Sequence, residues 1–346
     1  MKSLLLSAYN QLEIVEMPEP TTGPGEVLVR VEACGICGSD VHGMDGSTGR
    51  RIPPIVMGHE AAGTVAAVGA GVDDIALGDR VTFDSTISCG ECDYCLHGEI
   101  NLCNQREVIG VSCGDYRRHG AFAEYVSVPR RIVYKLPDSL PFAEAAMLEA
   151  ISVAMHAVHV SGAREGESVV VVGAGMIGLL TLQAARAAGC SPIYISDLDP
   201  TRLALAVVLG ADHALPFTGM QLTHRVAELN RGRGADQVFE AVGNDLTVST
   251  AIDCARKGGT VTLIGNVAPA VTLPLQKVVS RQIRLQGSCA SAGEYPQAIE
   301  YVAAGKIKVK PLITAVASLD EGPQWFERLH AREPNLMKIV LTPVQP

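Results

Sequence analysis

The sequence has no long hydrophobic run. Its longest apolar stretches, such as Val169–Val172 and Ile177–Leu182, end well short of the roughly 20 residues that a membrane-spanning helix needs. The apolar start, Met1–Leu6, is too short for a signal sequence, and Asn10 ends it. We therefore predict no membrane span and no secretory leader, and we interpret the first residues as a β-strand.

Basic residues are too few and too scattered for a nucleic-acid-binding surface. The 346 residues include 28 Lys and Arg against 37 Asp and Glu, so the formal net charge is −9 at pH 7. A phosphate-binding surface needs a basic stripe, and the sequence contains none. The composition, 47% hydrophobic and 19% charged, is that of a globular protein. We expect a small-molecule substrate and neither a nucleic-acid nor a membrane partner.

Repeats, low-complexity tracts and flexible linkers are also missing, so we expect tightly joined domains. The chain is long enough for two. Residues 1–150 contain many glycines and short alternating segments that predict β-structure, whereas 151–287 alternate apolar strands with helical segments. That alternation predicts βαβ units and a parallel sheet. The pattern changes again over 288–346.

Four of the ten cysteines follow the spacing C-x2-C-x2-C-x7-C: Cys89, Cys92, Cys95 and Cys103. Four thiolates this close together can form a tetrahedral, structural zinc site. An iron–sulfur cluster uses similar ligands but usually other spacings, and a disulfide scaffold is typical of shorter secreted chains. Ordinary buried thiols would rarely cluster in this way. We predict a structural zinc lobe over 88–104 in a reduced, cytoplasmic protein.

A glycine-rich turn follows the apolar strand Ser168–Val172 and begins a helical segment. Its residues, Gly173-Ala174-Gly175-Met176-Ile177-Gly178, fit the pattern G-x-G-x-x-G. The first glycine allows a tight turn, the second lets a pyrophosphate approach the backbone, and the third packs the helix on the strand. The pyrophosphate would lie on the helix N-terminus, where unpaired N–H groups favour an anion. The motif predicts a dinucleotide site, and the alternative is a plain βα turn.

Asp197, at the end of the next predicted strand, indicates which dinucleotide is bound. A carboxylate at this position can bind the ribose hydroxyls and should repel a 2′-phosphate, so we predict NAD rather than NADP. Arg202 follows closely and could instead hold a phosphate, or stack on the adenine. The alternative role for Asp197 is that of a helix cap.

Three further residues have the chemistry of a catalytic metal site. Cys37 offers a thiolate, and His59 and Glu60 offer an imidazole and a carboxylate. Position 63 is Gly, so this pair does not form the H-E-x-x-H motif of metalloproteases. Each residue alone could be an ordinary interior side chain. Their joint occurrence predicts an open, catalytic metal site.

These motifs together resemble those of the zinc-dependent medium-chain dehydrogenase/reductase family, which includes zinc alcohol, sorbitol and threonine dehydrogenases. Gly58–Gly63, followed by Gly69 and Val72, is similar to the family signature G-H-E-x2-G-x5-G-x2-V, and the resemblance covers nearly the whole chain. It implies an α/β architecture with an active site in the cleft between two domains. These are a GroES-like, β-rich catalytic domain over 1–150 and 288–346, and a doubly wound, parallel-sheet Rossmann domain over 151–287.

The resemblance also implies zinc ligands. Cys37, His59 and Glu60 would bind a catalytic zinc, with Glu149 as an exchangeable or water-mediated ligand. The stretch Glu149–Val153 resembles the E-P-L-[SA]-V stretch of polyol dehydrogenases, although position 150 is Ala where many relatives have Pro. A surface or capping role for Glu149 remains the alternative. With the cysteine lobe, the expectation is two zinc ions per subunit.

Ser39 resembles the family's hydroxyl relay, and His42 resembles the histidine that receives the proton through the cofactor ribose. The alternatives are a turn-forming serine and a solvated histidine. We expect Asp40 to orient the loop or a ligand rather than to transfer protons.

The implied activity is hydride transfer from a secondary hydroxyl of a polyol, sugar alcohol or sugar acid to NAD. Arg117 or Arg118 could accept a carboxylate or phosphate, unless both are solvated. Threonine or a simple secondary alcohol is the alternative substrate within the family, and a non-catalytic NAD- and zinc-binding redox sensor is the alternative from another class. By analogy we expect a homo-oligomer, a dimer or tetramer, to which a strand at Thr260–Ile264 could contribute.

Overall fold

The computed structural model describes residues 1–343, which divide into two compact units. The first unit comprises Met1–Glu149, Tyr295–Ala303 and the chain from Val309 on, and the second comprises Ala150–Glu294 and Ala304–Lys308. Residues 288–294 and 304–308 thus group with the second unit, whereas the sequence pattern assigned them to the first domain. None of the helices within 1–343 is both long and apolar enough to cross a membrane.

The strands are, in chain order, β1 Lys2–Ala8, β2 Gln11–Glu16, β3 Glu26–Gly35, β4 Ile55–Val56, β5 Glu60–Val68, β6 Arg80–Phe83, β7 Thr86–Ile87, β8 Glu107–Val108, β9 Val111–Ser112, β10 Arg117–Arg118, β11 Tyr125–Pro129, β12 Val133–Lys135, β13 Val169–Val172, β14 Ile193–Ser196, β15 His213–Leu215, β16 Ala235–Glu240, β17 Ala255–Leu263, β18 Arg284–Gly287, β19 Ile313–Ser318 and β20 Lys338–Thr342. The α-helices are α1 Gly38–Met44, α2 Asp93–Leu96, α3 Phe142–Ala145, α4 Leu148–Ser161, α5 Met176–Ala187, α6 Pro200–Val208, α7 Gly219–Leu229, α8 Asp245–Cys254, α9 Leu275–Ser280, α10 Tyr295–Ala303 and α11 Gly322–His330.

The first unit is built on a mostly antiparallel sheet with the strand order β12-β6-β5-β3-β20-β19, and β11 also pairs with β3. Strand β3 alternates buried and more exposed side chains along part of its length, as expected for a strand with one face on a core. Its last residue, Gly35, lies opposite Glu60 on β5 and Val340 on β20. This register brings the start of β5, the end of β3 and the last strand of the chain to one place.

The second unit contains a six-stranded parallel sheet with the order β15-β14-β13-β16-β17-β18. This is the doubly wound order 3-2-1-4-5-6, in which ligands bind beyond the carboxyl ends of the strands where the order reverses. The reversal lies between β13 and β16, and β13 is buried along its whole length. The turn that follows β13 is therefore at the position where this fold binds ligands.

One detail of the second unit differs from the sequence prediction. Strand β17 pairs with β16 on one side and β18 on the other, so the interface strand expected at Thr260–Ile264 is interior and that expectation is wrong. The edges of the sheet are β15 and β18 instead.

Candidate active site and cofactor site

Cys37, His59 and Glu60 come together in the first unit: one ligand atom from each residue lies within 4.8 Å of the others. Cys37 is the N-cap residue of α1, Glu60 begins β5, and His59 precedes it. His59 and Glu60 are buried, whereas Cys37 is partly exposed. A thiolate, an imidazole and a carboxylate with one accessible side are the donor set of an open zinc site. The three side chains therefore fit a catalytic zinc ion.

Asp40 connects the loop of Cys37 to the ring of His59. Its Oδ2 accepts the backbone N–H of Cys37 at 3.3 Å, and its Oδ1 lies 3.4 Å from Nδ1 of His59, an ion-pair distance without the alignment of a hydrogen bond. Burial opposes ionisation of this carboxyl, but His59 and Arg51 together hold its pKa well below the usual range. Carboxylates commonly orient metal-bound histidines in this way. Asp40 thus contacts both the loop and a candidate ligand.

A buried ion pair fixes the carboxylate of Glu60. Nζ of Lys338 lies 2.5 Å from Oε2 of Glu60 and also donates to the carbonyl of Ile36 at 3.0 Å. Burial lowers the pKa of Lys338, but Glu60 together with Cys37 and Glu149 outweighs this effect, and the pKa is raised. A side chain at Gly35 would not fit, because its Cβ would lie 2.3 Å from Oε2 of Glu60. The pair takes one carboxylate oxygen, so the other remains available for a metal.

Glu149 lies in the first turn of α4 and is not part of the three-donor group. Burial is the main cause that raises the pKa of its carboxyl to about 7, with His59 opposing the rise and Glu60 and Asp84 adding to it. Because the charges of His59 and Glu60 both affect this pKa, Glu149 is within electrostatic range of the two candidate ligands. This position is compatible with the exchangeable or water-mediated role that the sequence predicted.

Ser39 and His42 both lie on α1 and are exposed. They are three residues apart, so they share one side of the helix. The hydroxyl of Ser39 accepts a hydrogen bond from Nη2 of Arg51 at 3.4 Å. His42 lines a cavity of about 140 Å³ together with Gly38 and Val41. Both side chains are therefore accessible to small molecules in the first unit.

The four cysteines of the predicted zinc lobe surround one point, with all four Sγ atoms within 4.8 Å of one another. The sulfur of Cys92 lies 3.5 Å from that of Cys95 and 3.9 Å from that of Cys103. These distances exclude disulfides, which need about 2.05 Å, and they match the separation of about 3.8 Å that follows from four Zn–S bonds of about 2.3 Å in a tetrahedron. The backbone N–H of Cys89 donates to the sulfur of Cys103 at 3.2 Å. The lobe fits a structural zinc ion.

The structure shows a different reason for glycine at each of the three positions of the glycine-rich turn. Gly173 has φ of +100°, in the left-handed region that favours glycine. A Cβ at Gly178 would lie 1.8 Å from the carbonyl oxygen of Gly173, so no side chain fits between the turn and helix α5. At Gly175, the N-cap of α5, a Cβ would meet nothing within 4 Å. The backbone at Gly175, Met176 and Ile177 thus begins a helix whose first N–H groups can receive a pyrophosphate.

Asp197 follows β14 and connects to the same turn. Its Oδ2 accepts the backbone N–H of Ala174 at 2.7 Å, and its Oδ1 accepts the N–H of Leu198 at 2.8 Å. The cap of the following helix α6 is Asp199 and not Asp197, so the capping alternative for Asp197 is wrong. The guanidinium of Arg202 lies 3.9 Å from Asp197 and 3.5 Å from Asp199. Both side chains predicted to bind the cofactor therefore lie beside the glycine-rich turn.

The two arginines considered for an anionic substrate have different environments. Arg118 forms a 2.5 Å ion pair with Glu107. Arg117 is exposed, and its Nε donates to the hydroxyl of Ser112 at 3.4 Å. Of these two arginines, Arg118 is therefore paired with a carboxylate, whereas the contact described for Arg117 is with a hydroxyl.

Two residues of the metal site were not predicted from the sequence. Lys338 stands alone among apolar residues in the last strand, and a lone charge in such a strand is a usable signal of a buried ion pair. Arg51 lies in a polar loop segment, where nothing in the sequence distinguishes a buried arginine from a solvated one.

Comparison with known proteins gives full-length matches. The family model for the alcohol dehydrogenase GroES-like domain matches residues 23–138, and that for the zinc-binding dehydrogenase matches 177–304. The chain is 32% identical to sorbitol dehydrogenase from Bacillus subtilis, over 99% of this chain and 97% of that protein. It is 38% identical to L-idonate 5-dehydrogenase from Vitis vinifera, over 85% and 81% respectively.

The structural comparison agrees. A putative zinc-binding dehydrogenase from Sinorhizobium meliloti 1021, solved bound to NADP, has a TM-score of 0.89 and 33% identity, with 99% of each chain covered. These matches confirm the resemblance and the fold class that the sequence motifs predicted.

Proposed function

The chain belongs to the zinc-dependent medium-chain dehydrogenase/reductase family, and from this membership we propose that it transfers a hydride from a secondary hydroxyl of a polyol, sugar alcohol or sugar acid to NAD. The observation that carries the proposal is the convergence of a thiolate, an imidazole and a carboxylate within 4.8 Å in the first unit. The relatives named for sorbitol and L-idonate support the substrate class.

The first unit contains the proposed metal ligands and proton-relay residues, and the second contains the proposed cofactor-binding residues. Cys37, His59 and Glu60 would hold a zinc ion, which would supply Lewis-acid polarisation of the substrate hydroxyl, and a bound nicotinamide would supply the hydride acceptor. Asp40 holds the ring of His59, and Lys338 holds the carboxylate of Glu60, so neither ligand has to be ordered when substrate arrives.

Ser39 and His42 move the proton. The hydroxyl of Ser39 accepts the proton of the substrate hydroxyl while its own proton passes on, and His42 receives a proton where α1 is open to solvent. A histidine suits this role because its ordinary pKa lies near neutrality. Glu149 would act as an exchangeable or water-mediated ligand of the same zinc, and the four-cysteine lobe would hold a second, structural zinc.

NAD rather than NADP is the proposed cofactor, although the relative from S. meliloti was solved with NADP. The carboxylate of Asp197 lies beside the glycine-rich turn, and its charge disfavours a 2′-phosphate there. The nearby Arg202 is already within ion-pair distance of two carboxylates, so its charge is largely compensated. Both features support NAD.

A homo-oligomer is proposed with the second unit at its interface. Strand β18 is an edge of the parallel sheet. Val267, which precedes helix α9, is 64% exposed, and Leu275 and Val279, within the helix, are 63% and 70% exposed. An unpaired edge next to exposed apolar side chains is a surface that proteins usually cover. Light scattering of the purified protein tests whether it forms a homo-oligomer. The cytoplasmic location remains a prediction from the sequence.

The proposed function is tested by NADH formation with polyols, sugar acids, L-threonine and small secondary alcohols, with and without a chelator. Chelator-sensitive turnover of a polyol or sugar acid supports the proposal. Turnover restricted to threonine or small alcohols contradicts the substrate class, and cofactor binding without turnover of any alcohol favours a non-catalytic sensor.

A further inference from the structure

Arg51 is a buried arginine beside the proposed proton relay. Its side chain is 5% exposed, which is uncommon for arginine unless its donors are paired. Nε and Nη2 donate to Oδ1 of Asp40 at 3.3 and 3.0 Å, and Nη1 donates to the carbonyl of Arg50 at 3.0 Å. Nη2 also donates to the hydroxyl of Ser39 at 3.4 Å. The guanidinium is therefore held by partners that include the residue proposed to move the proton.

The side chain of Arg51 packs closely against helix α1 at Gly43. An ideal Cβ at Gly43 would lie 2.3 Å from Cγ and 3.2 Å from Cβ of Arg51. Gly43 does not have a left-handed φ, so the backbone conformation does not require glycine. These contacts involve the base of the arginine side chain, which cannot swing away without moving the guanidinium. Glycine at 43 and arginine at 51 thus fit each other.

We propose that Arg51 is a positioning residue that fixes the hydroxyl of Ser39 for proton transfer. The inference rests on the proposed function of Ser39 as the relay. A serine hydroxyl has one proton to donate and two lone pairs that accept, whereas a guanidinium only donates. Arg51 therefore occupies one lone pair, and the hydroxyl proton of Ser39 points away from it. The other lone pair and the proton are left for the substrate and for the next group of the relay.

The proton balance follows from this arrangement. The O–H bond of the substrate breaks as a new O–H bond forms at Ser39, and the original proton of Ser39 leaves to the next acceptor. The electron pair of the reacting C–H bond leaves as hydride to the nicotinamide. Arg51 keeps all of its protons throughout, because it is not deprotonated in proteins.

A simpler role, in which Arg51 only neutralises Asp40, predicts a different response to substitution. Arg51→Lys retains a positive charge beside Asp40 but loses the planar fork that reaches two acceptors. If neutralisation is the whole role, this variant keeps its activity. If the fork positions Ser39, turnover falls although the charge is kept.

The test is a double-mutant cycle with Arg51→Lys, Ser39→Ala and the combined variant, measured as kcat and KM for NADH formation. We expect Arg51→Lys to lower kcat by about 10- to 100-fold, with KM nearly unchanged. In the Ser39→Ala background it should cause no further loss, because the effect acts through Ser39. Equal fold-losses in both backgrounds, or an unchanged kcat in Arg51→Lys, overturns the proposal. Zinc content must match the wild type in every variant.

The matched control is Arg30→Lys. Arg30 also contacts a carboxylate and a hydroxyl of the first unit: it forms an ion pair with Glu32 at 2.8 Å and donates to the hydroxyl of Thr64 at 3.4 Å, but it is 45% exposed. This variant should keep kcat and KM.

A second measurement does not depend on turnover and so separates this proposal from the proposed function. In crystals of the wild type, Ser39 should occupy one rotamer with Oγ facing Nη2 of Arg51, and in Arg51→Lys it should occupy several. The same single rotamer in both overturns the positioning role, even if no alcohol is oxidised. If the wild type oxidises none of the alcohols, this result contradicts the proposed dehydrogenase function but not the positioning of Ser39 by Arg51.

Discussion

Removing one partner of the buried ion pair between Lys338 and Glu60 should be one of the most destabilising single substitutions in the first unit. Both side chains are almost fully buried, at 4% and 1% exposure, and they are 2.5 Å apart. Lys338→Met leaves Oε2 of the buried Glu60 carboxylate without the ammonium group that pairs with it, which costs about 3–5 kcal/mol. With a melting shift of roughly 2–4 °C per kcal/mol, the melting temperature should fall by about 6–20 °C.

Thermal unfolding of Lys338→Met and of a matched control, Lys135→Met, tests this value. Lys135 pairs with Asp79 at 2.8 Å, but its side chain is 54% exposed. An exposed pair contributes about 0–1 kcal/mol, so the control should melt close to the wild type. The reasoning is refuted if the melting temperatures of both variants fall by the same small amount, because burial would then not increase the cost of breaking the pair.

Three further predictions concern the cofactor, the zinc lobe and acid stability. Asp197→Ser should lower the ratio of kcat/KM for NAD to that for NADP; an unchanged ratio would remove Asp197 from cofactor selection. Cys95→Ser should lose one zinc per subunit, measured by metal analysis, and should melt earlier, whereas retention of two zinc ions would contradict a four-cysteine site. At Asp236 burial opposes ionisation, but hydrogen bonds from Ser168 and the ion pair with Arg256 outweigh it, so the pKa is lowered below 3.8. A depressed pKa gives stability that is present above the unfolded-state pKa and lost as the pH falls through the folded-state pKa. In urea unfolding, the free energy of unfolding of Asp236→Asn should therefore decrease less steeply than that of the wild type below about pH 4. An equally steep decrease in both proteins would refute this.

The features that were predictable from the sequence depend on residues close together in the chain. The cysteine spacing defines the zinc lobe because all four ligands lie in one short loop. The glycines at 173, 175 and 178 act within a single strand–turn–helix, and their separate reasons can be derived before the fold is known. The observed φ at Gly173 and the close approach at Gly178 match those reasons.

The features that were missed depend on how distant strands are aligned. Lys338 meets Glu60 across 278 positions of the chain, through the register of β20 and β5 on either side of β3. Arg51 becomes buried only because Gly43 leaves room for its side chain. The interface strand was misplaced for the same reason, since the order of β17 and β18 in the sheet follows from the topology and not from local pattern. A single sequence contains no direct signal of such register.

Zinc analysis and turnover of Cys37→Ala test the central claim most directly. The account predicts two zinc ions per subunit in the wild type and one in this variant, with NAD binding retained and alcohol oxidation lost. Two zinc ions together with wild-type turnover in Cys37→Ala would contradict the assignment of Cys37, His59 and Glu60 as the catalytic metal site.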